Sequence, residues 1–584
     1  MTAKRSHLVL AALLYAFFAV FLIWPIVQVV AMGFIERGHG FTTHYLQLVF
    51  ADPVLRQGLF NAIFVAVAVT LFTLLVSLPL AMLSVRWDFR GRGVLTGLLL
   101  VPLVLPPFVG AIGMRLVLGR FGPLTQVLSF IAHAFGGHGF NDLGIDWLGR
   151  FKIAGIIAIE VLHLYPIMLL NLQAALANID PAMEQAAANL GASRWTVFER
   201  ITLPLMRPGL FAGCTLVLIW SFTELGTPLM FDYYTITPVQ VFHQITEVAD
   251  NPLPYALVVV MLLGSAGLYL VGKVVLGRGF DAATTKGGLA GQARRLNGWR
   301  GGAAAMAFVV LIALALLPHF AVLMTSVSGT GEWYKALLPA HFTASHYGAA
   351  LVDDLTLNSV KYSMIYASCA TALAVVIGLA AAIVVERSDV PGRGVIDSLA
   401  MLPLAVPGIV LAFGYLAISI WLKQKLGGGV EGGGSWRKIF DVTEYPLVLI
   451  VIAYAARRLP YVVRSAIAGL QQTPRDLELA AENLGAKRFT VLRRITAPLI
   501  MANLVAGALL AFAFAMLEVS DSLILAQRRD YFPITKAIWE LSQRLGDGLY
   551  IASALGVWAM VFLTLTILSA NALLGKKMGA IFRV

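Results

Sequence analysis

The sequence contains little charge and almost no cysteine. Only 13% of its 584 residues are charged, whereas 59% are hydrophobic, and the mean hydropathy is +0.82. A soluble domain carries about 25% charged residues, so there is too little charge here to cover a water-exposed surface of this size. The two cysteines, Cys214 and Cys369, both lie in apolar runs and supply neither a disulfide framework nor a zinc site. The composition therefore excludes a soluble globular protein and favours one surrounded by lipid.

The sequence also lacks the motifs of an enzyme. It has no GxxxxGK[ST] phosphate loop, and its loops show no paired carboxylates, nucleophile elbow or metal-ligand cluster. We therefore expect no catalytic residues, no metal site and no cofactor bound by this chain. The net charge of +12 would suggest nucleic acid in a soluble protein. The basic residues here punctuate apolar runs, which is typical of positive-inside membrane topology, so the expected partner is the bilayer and not nucleic acid.

Twelve apolar segments can be counted, and each is long enough to cross a bilayer. Lipid cannot satisfy exposed backbone groups, and no β-barrel alternation is visible, so every segment must be helical. The sequence thus predicts an all-α polytopic membrane protein of about twelve transmembrane helices. The segments lie near residues 8–34, 59–83, 94–119, 153–176, 207–231, 254–276, 303–327, 357–385, 396–422, 445–463, 501–526 and 549–574.

Charge and composition orient these helices and divide them into two sets. Most basic residues, Arg457 and Arg458 among them, fall in segments that are cytoplasmic if the N-terminus is cytoplasmic. An even number of spans then places both termini inside. The Gly-rich, basic stretch 277–302 predicts a flexible cytoplasmic linker. It separates a first six-helix half, residues 1–276, from a second, residues 303–584.

The two halves are repeats of each other. Residues 89–113 align with 390–414 at an offset of 301 residues, and residues 184–204 align with 478–498 at an offset of 294. In the second pair, 14 of 21 positions are identical. Because each half begins and ends on the same side, the sequence predicts parallel repeats related by a pseudo-two-fold axis.

The stronger repeat lies between the fourth and fifth helices of each half. It predicts a short helix, a turn at Gly191 or Gly485, and a second short helix that ends before Pro204 or Pro498. Such a helix–turn–helix on the membrane surface is suited to a groove on a soluble partner.

This segment resembles the EAA loop of binding-protein-dependent type I ABC importer permeases. At the family's glutamate position the chain has Gln185 and Leu479, and Glu184 and Glu478 lie one residue earlier. Carried over from the resemblance, the expected ATPase-coupling residues are Glu184, Ala186, Ala187, Gly191 and Pro204, with Glu478, Ala480, Ala481, Gly485 and Pro498 in the second half.

The resemblance implies the rest of a transport machine. Two ATP-binding cassette subunits would bind the two loops and use the ATP. A periplasmic or extracellular binding protein would deliver the cargo to this chain in the bacterial plasma (inner) membrane. The rival interpretation is a secondary transporter driven by an ion gradient. Such transporters often contain inverted repeats, whereas the repeats here are parallel, and that model leaves the duplicated loop unexplained.

Several carboxylates fall inside the predicted spans. Glu224 and Glu518 lie in the fifth helix of each half, again 294 residues apart. They either line the transport pathway or make structural hydrogen bonds, because an ionisable residue in a span usually faces the bundle interior. Glu160 and His163, one turn apart, are expected to pair with each other and not to bind a metal. Asp521, near the outer end of its span, is expected in water.

The cargo is predicted from resemblance alone. A single chain with two fused halves resembles the ferric-iron importer permeases, which have motifs similar to VPLVLPPFVGAIGM and ELGTPLMFDY. The same group includes relatives that move phosphorylated or phosphonate organic anions, thiamine and polyamines. Unpaired carboxylates at Glu224 and Glu518 would favour a cation such as ferric ion, because they would repel an anion where water is scarce.

Overall fold

The computed structural model describes residues 2–36, 40–135, 147–248, 251–276, 294–333, 336–427 and 439–574. These residues are helical almost throughout. The named strands in this part of the chain have two residues each. Strand β1 (Ile35–Glu36) pairs antiparallel with β2 (Gly40–Phe41), and β3 (Trp87–Asp88) pairs parallel with β4 (Arg294–Arg295).

The first half contains long apolar helices separated by short surface helices. A π-helical turn at Ala19–Ile23 joins α1 to α2, another at Phe198–Thr202 joins α11 to α12, and a 3₁₀ turn at Ile245–Glu247 follows α14. The helices are α1 (Thr2–Phe18), α2 (Trp24–Phe34), α3 (His44–Ala51), α4 (Pro53–Arg86), α5 (Arg92–Leu98), α6 (Val101–Val104), α7 (Pro107–Val117), α8 (Pro123–Ala134), α9 (Trp147–Ala177), α10 (Pro181–Asn189), α11 (Arg194–Val197), α12 (Leu203–Phe222), α13 (Gly226–Met230), α14 (Thr237–His243) and α15 (Leu253–Leu276).

The second half repeats this order. A π-helical turn at Leu492–Thr496 joins α23 to α24, and a 3₁₀ turn at Arg529–Tyr531 follows α25. The helices are α16 (Trp299–Val327), α17 (Ser345–Ala350), α18 (Asp354–Arg387), α19 (Arg393–Ala405), α20 (Gly408–Gly427), α21 (Leu447–Gln472), α22 (Asp476–Asn483), α23 (Arg488–Val491), α24 (Ala497–Met516), α25 (Ser520–Leu525), α26 (Ile534–Ser542) and α27 (Gly548–Leu574).

The all-α polytopic fold is confirmed, but the spans differ from the twelve predicted. Among the described residues, nine helices are long and apolar enough to cross a membrane, or up to eleven if each bent pair is one span. The predicted segment 445–463 is not among them. It corresponds to α21, in which every 18-residue stretch contains Arg457, Arg458 and Arg464. Counting apolar residues overlooked that this helix carries charge along its length.

Two predicted spans are broken at prolines. The third helix of the first half is a pair, Arg92–Leu103 and Pro107–Val117, bent by 89°, and its counterpart Arg393–Ala405 and Gly408–Gln424 is bent by 102°. Pro107 and Pro407 lie at the breaks, where proline removes a backbone donor and prevents a continuous helix. The residues at both breaks lie in the interior of the molecule, between the two halves.

Regular structure begins before the C-terminal end of the predicted linker, residue 302. Residues 277–293 lie outside the described residues. Residues Arg294–Arg295 form β4 against the first half, and the Leu296 backbone N–H donates to the Asp88 carbonyl at 2.8 Å. Helix α16 then begins at Trp299 and not at residue 303. The end of the predicted linker is therefore part of the packed fold.

The first long helix of each half packs against the opposite half. Helix α2 lies on α20, and α16 lies on α7. A Cβ atom at Gly113 would overlap the Val322 backbone, and one at Gly414 would overlap the Pro25 backbone. Gly113 and Gly414 are equivalent at the 301-residue offset, so the same close crossing is built twice. The buried core is continuous through both halves.

Candidate functional site

The repeated loop of the first half is a helix–turn–helix on the surface. Helix α10 begins where the Asp180 carboxylate accepts a hydrogen bond from the Ala182 N–H at 2.9 Å. After α10, Gly191 takes a φ of +85°, which side chains with a Cβ rarely adopt. The Ser193 hydroxyl then caps α11 by accepting from the Thr196 N–H at 3.1 Å.

The second loop has the same turn, with Gly485 at a φ of +86° between α22 and α23, but neither of its helices has a side-chain cap. One detail of the prediction is wrong in both loops. The second short helix does not end before Pro204 or Pro498 but continues through a π-helical turn into α12 or α24. Each proline lies in the first turn of the following helix, where the absence of a backbone N–H donor costs little. The wider π-helical turn before it leaves room for the pyrrolidine ring.

The loop acids point toward the body of the chain. The Glu184 carboxylate pairs with the guanidinium of Arg86 at the end of α4 and accepts from the Thr202 hydroxyl at 2.6 Å. Each of these contacts ties α10 to the helices around it.

The second half repeats this anchor. The Glu478 carboxylate lies 3.1 Å from Nε of Arg387 and accepts from the Thr496 hydroxyl at 2.9 Å. Neither the two arginines nor the two threonines are among the residues predicted for the coupling loops. The threonines occupy identical positions of the repeat, and the arginines end aligned helices, so the repeat itself carried the signal.

Both loops expose large apolar side chains among charged ones. Leu190 is 89% exposed and its equivalent Leu484 is 90% exposed, and large exposed side chains follow at Trp195 and Phe489. Monomeric soluble surfaces rarely collect such groups, and where they do an interaction site is the usual reason. The remaining predicted coupling positions, Ala186, Ala187, Ala480 and Ala481, lie on α10 and α22 with exposed or half-buried side chains.

A cavity of about 170 Å³ lies between the two halves. Its walls come from four helix breaks, before α7, before α20, between α12 and α13, and between α24 and α25, and from the middle of α9 and α21. Equivalent residues face it from each side, including the pair Pro106 and Pro407. The structure brings Glu224 and Glu518 to this cavity, together with Glu160, which the sequence analysis had assigned to helix packing.

The second-half wall of the cavity is a network of paired charges. Glu518 is 2% exposed, its Oε1 atom lies 2.8 Å from Nη1 of Arg457, and its carboxylate pairs with the guanidinium of Arg458. Asp521 is completely buried, with its carboxylate 3.6 Å from Arg457. Two expectations are therefore wrong: Asp521 is not in water, and Arg457 and Arg458 do not lie in a cytoplasmic connection. These residues compensate one another because an isolated charge there would be costly.

The acids of the first-half wall form no ion pair among the described residues, although Arg457 on the opposite wall interacts electrostatically with Glu224. Glu224 accepts hydrogen bonds from the backbone N–H groups of Gly226 at 3.1 Å and Thr227 at 3.2 Å, at the start of α13. Glu160, 2% exposed, accepts from the Ser221 hydroxyl, and its Oε1 atom has no hydrogen-bond partner among the described residues.

The predicted pair of Glu160 with His163 is not formed. Nδ1 of His163 lies 3.0 Å from the Pro102 carbonyl oxygen, while Glu160 bonds to Ser221 on the neighbouring helix. Side chains three positions apart can meet on an isolated helix, but here each has a partner on another element. Within the described ranges, no group of three or more His, Cys, Asp or Glu side chains could hold a metal ion.

Comparison with known proteins identifies similar chains. The family model described as a binding-protein-dependent transport system inner membrane component matches residues 77–278 and again residues 374–578. The two matches fall in the two repeated halves and together span more than half of the chain.

Individual relatives match over most of the length. The ferric transport system permease protein FbpB of Actinobacillus pleuropneumoniae is 27% identical over 525 residues, covering 88% of this chain and 70% of that protein. A putative ferric transport system permease protein FbpB 1 of Haemophilus influenzae is 28% identical, covering 81% and 70%. The molybdenum transport system permease protein ModB of Escherichia coli is 32% identical over 185 residues, covering 30% of this chain and 74% of ModB.

Proposed function

Because the chain belongs to the family of inner membrane components of binding-protein-dependent transport systems, we propose that its paired loops receive ATPase subunits and its central cavity passes ferric iron. The chain is the permease subunit of an ABC importer, a transport subunit with two fused halves. The loops and the cavity are the two parts whose roles remain to be assigned within that machine.

Two ATPase subunits fit the two loops. Each loop presents one strongly exposed leucine and one aromatic side chain, on a hairpin anchored by a Glu–Arg pair. An anchored hairpin transmits movement better than an unsupported loop, because its base is fixed by the ion pair to a long helix, α4 in the first half and α18 in the second. ATP would be bound and hydrolysed by those partners, and this chain would hold no cofactor.

The loops would face the cytoplasm, with both chain termini on the same side. A cysteine in place of Leu190 or Leu484, in a chain whose Cys214 and Cys369 are replaced by alanine, tests this orientation. A membrane-impermeant maleimide should label it in inverted vesicles but not in intact cells. Labelling in intact cells would overturn the proposed topology.

Ferric iron is the cargo that the comparisons favour. The observation that carries this assignment is the match to two ferric transport permeases over 88% and 81% of the chain, whereas the molybdenum permease matches only 30% of it. The carboxylates in the cavity are compatible with a cation. A binding protein outside the membrane would deliver the ion.

The test is direct import. The complex of this chain with its cognate ATPase and binding protein, reconstituted in liposomes, should accumulate ⁵⁵Fe only when ATP is present on the ATPase side. The ligand that co-purifies with the binding protein should be ferric ion. A phosphorylated anion, thiamine or a polyamine in that protein would contradict the cargo assignment, and import without the ATPase would contradict the ABC mechanism.

A further inference from the structure

The two walls of the cavity differ at equivalent positions. At the 294-residue offset, His163 corresponds to Arg457 and Leu164 to Arg458, so the first half lacks both arginines. Conversely, Glu160 corresponds to Tyr454, so the second half lacks that acid. The first-half lining residues of the cavity include no Lys or Arg.

The acid that lines the second-half wall already has partners, and Asp521, whose carboxylate accepts no hydrogen bond among the described residues, lies behind that wall and not on the cavity. Glu518 is held by Arg457 and Arg458, and Asp521 lies beside Arg457. A cation entering the cavity would have to compete with fixed guanidinium groups for Glu518, and an anion would have to compete with fixed carboxylates for the arginines. Neither exchange is favourable, because the internal partners pay no entropy of association.

The first-half acids are available. Glu160 is 2% exposed, lines the cavity, and uses one oxygen on Ser221 while Oε1 has no partner among the described residues. Glu224 lines the same wall, accepts hydrogen bonds from backbone N–H groups and forms no ion pair among the described residues, although Arg457 on the opposite wall interacts with it electrostatically. A buried carboxylate without a counter-charge is either protonated or met by a cation.

We propose that Glu160 and Glu224 form the cation-contacting wall of the transport pathway, and that Glu518 and Asp521 are neutralised structural acids. This inference rests on the proposed import function and names the residues that meet the cargo. The contact is transient and not a resident metal site, since no three-ligand cluster is present in the described ranges. Transport requires such weakness, because the ion must leave the site as readily as it enters.

Variants of the full chain in the reconstituted complex test the proposal. Glu160→Gln keeps an oxygen that accepts from Ser221 but removes the charge, and Ser221→Ala removes the hydrogen bond but keeps the charge. The proposal expects Glu160→Gln and Glu224→Gln each to lower the rate of ⁵⁵Fe import by roughly tenfold or more. Ser221→Ala should change the rate less than about twofold, and Glu160→Asp should restore part of it.

Stability and ATP hydrolysis separate this role from a structural one. The melting temperature of the complex should stay at the wild-type level in Glu160→Gln, while the number of ions moved per ATP hydrolysed should fall. Equal losses in Ser221→Ala and Glu160→Gln would show a packing role and overturn the proposal, as would normal import in both glutamine variants.

Failure of the proposed function appears in the wild type and not in the variants. If the wild-type complex moves a different cation, the ferric assignment fails, and slowed movement of that cation by Glu160→Gln still supports the cation-contacting wall. If the wild type moves an anion or a neutral solute, both the cargo and the cation-contacting wall are overturned.

Discussion

The two halves of the molecule agree at their surface loops and differ at their shared cavity. Each loop has a left-handed glycine, an apolar tip and a Glu–Arg–Thr anchor at equivalent positions. In the cavity, one half supplies two acids without arginines, and the other supplies two arginines paired with one buried acid. The two loops, which would bind two similar partners, are alike. The two sets of cavity residues, which would line a single pathway, differ in the charges that they contribute to it.

The largest difference between the halves should appear when a cavity arginine is removed. Arg458→Ala leaves Glu518 buried with one guanidinium fewer, and breaking a buried pair costs about 3–5 kcal/mol. We expect a large fall in the melting temperature of the purified chain, measured by tryptophan fluorescence. Glu224→Gln in the first half should leave it nearly unchanged.

A compensating variant sharpens that comparison. Arg458→Met combined with Glu518→Gln removes both charges together and should recover most of the lost stability. If the double variant is as unstable as Arg458→Ala, the pairing of these two charges is not what the second half depends on.

A smaller difference should separate the two loop anchors. Arg387 also donates to the carbonyl oxygens of Leu470 and Thr473 at 2.9 Å each, whereas the other side-chain contact of Arg86 is the Thr202 hydroxyl at 3.3 Å. Because hydrogen bonds from charged groups contribute about 1.5–3 kcal/mol, Arg387→Ala should increase amide exchange in α22 more than Arg86→Ala does in α10. Equal exchange in the two helices would contradict this asymmetry.

The loop glycines should behave alike in the two halves. Valine at Gly191 or Gly485 has open space for its side chain, but the left-handed backbone costs about 1–2 kcal/mol. We expect either variant to insert normally and to lose coupling of ATP hydrolysis to import. Gly267→Val is the matched control, since that helical glycine also has open space and no positive φ. Normal import by the double variant would refute the coupling role.

The smallest effect on stability should come from the loop tips. Leu190→Ser and Leu484→Ser alter side chains that are almost fully exposed, so the free energy of unfolding should change by less than about 0.5 kcal/mol. Association with the ATPase should nevertheless weaken, by similar amounts for each loop, in co-purification at rising salt and detergent. Unchanged recovery of the ATPase in the variant with both substitutions would exclude the tips as its binding surface.

The sequence was sufficient for the fold class and the repeated loops, because hydropathy and the identity of two repeated segments can be read without knowing which residues are in contact. It was insufficient for the cavity, where the partners are distant in sequence. Arg458 and Glu518 are 60 residues apart, and Glu160 and Ser221 are 61 apart. In α21, apolar residues surround Arg457 and Arg458, so this stretch of sequence resembles the end of a membrane span. Only the packing of the helices shows that an acid faces these arginines. The chain offers no local signal for which of several buried acids is compensated.

The packing of the first long helix of each half on the opposite half has a consequence for the peptide connection between the halves. Helix α2 packs on the second half and α16 packs on the first half. The two halves are therefore held together by two close helix crossings, at Gly113 and Gly414, and not by a single flat interface. A peptide bond between residues 277 and 293 is then unnecessary for keeping them together. A gene divided in that stretch should yield two polypeptides that assemble in the membrane and purify as one transporter.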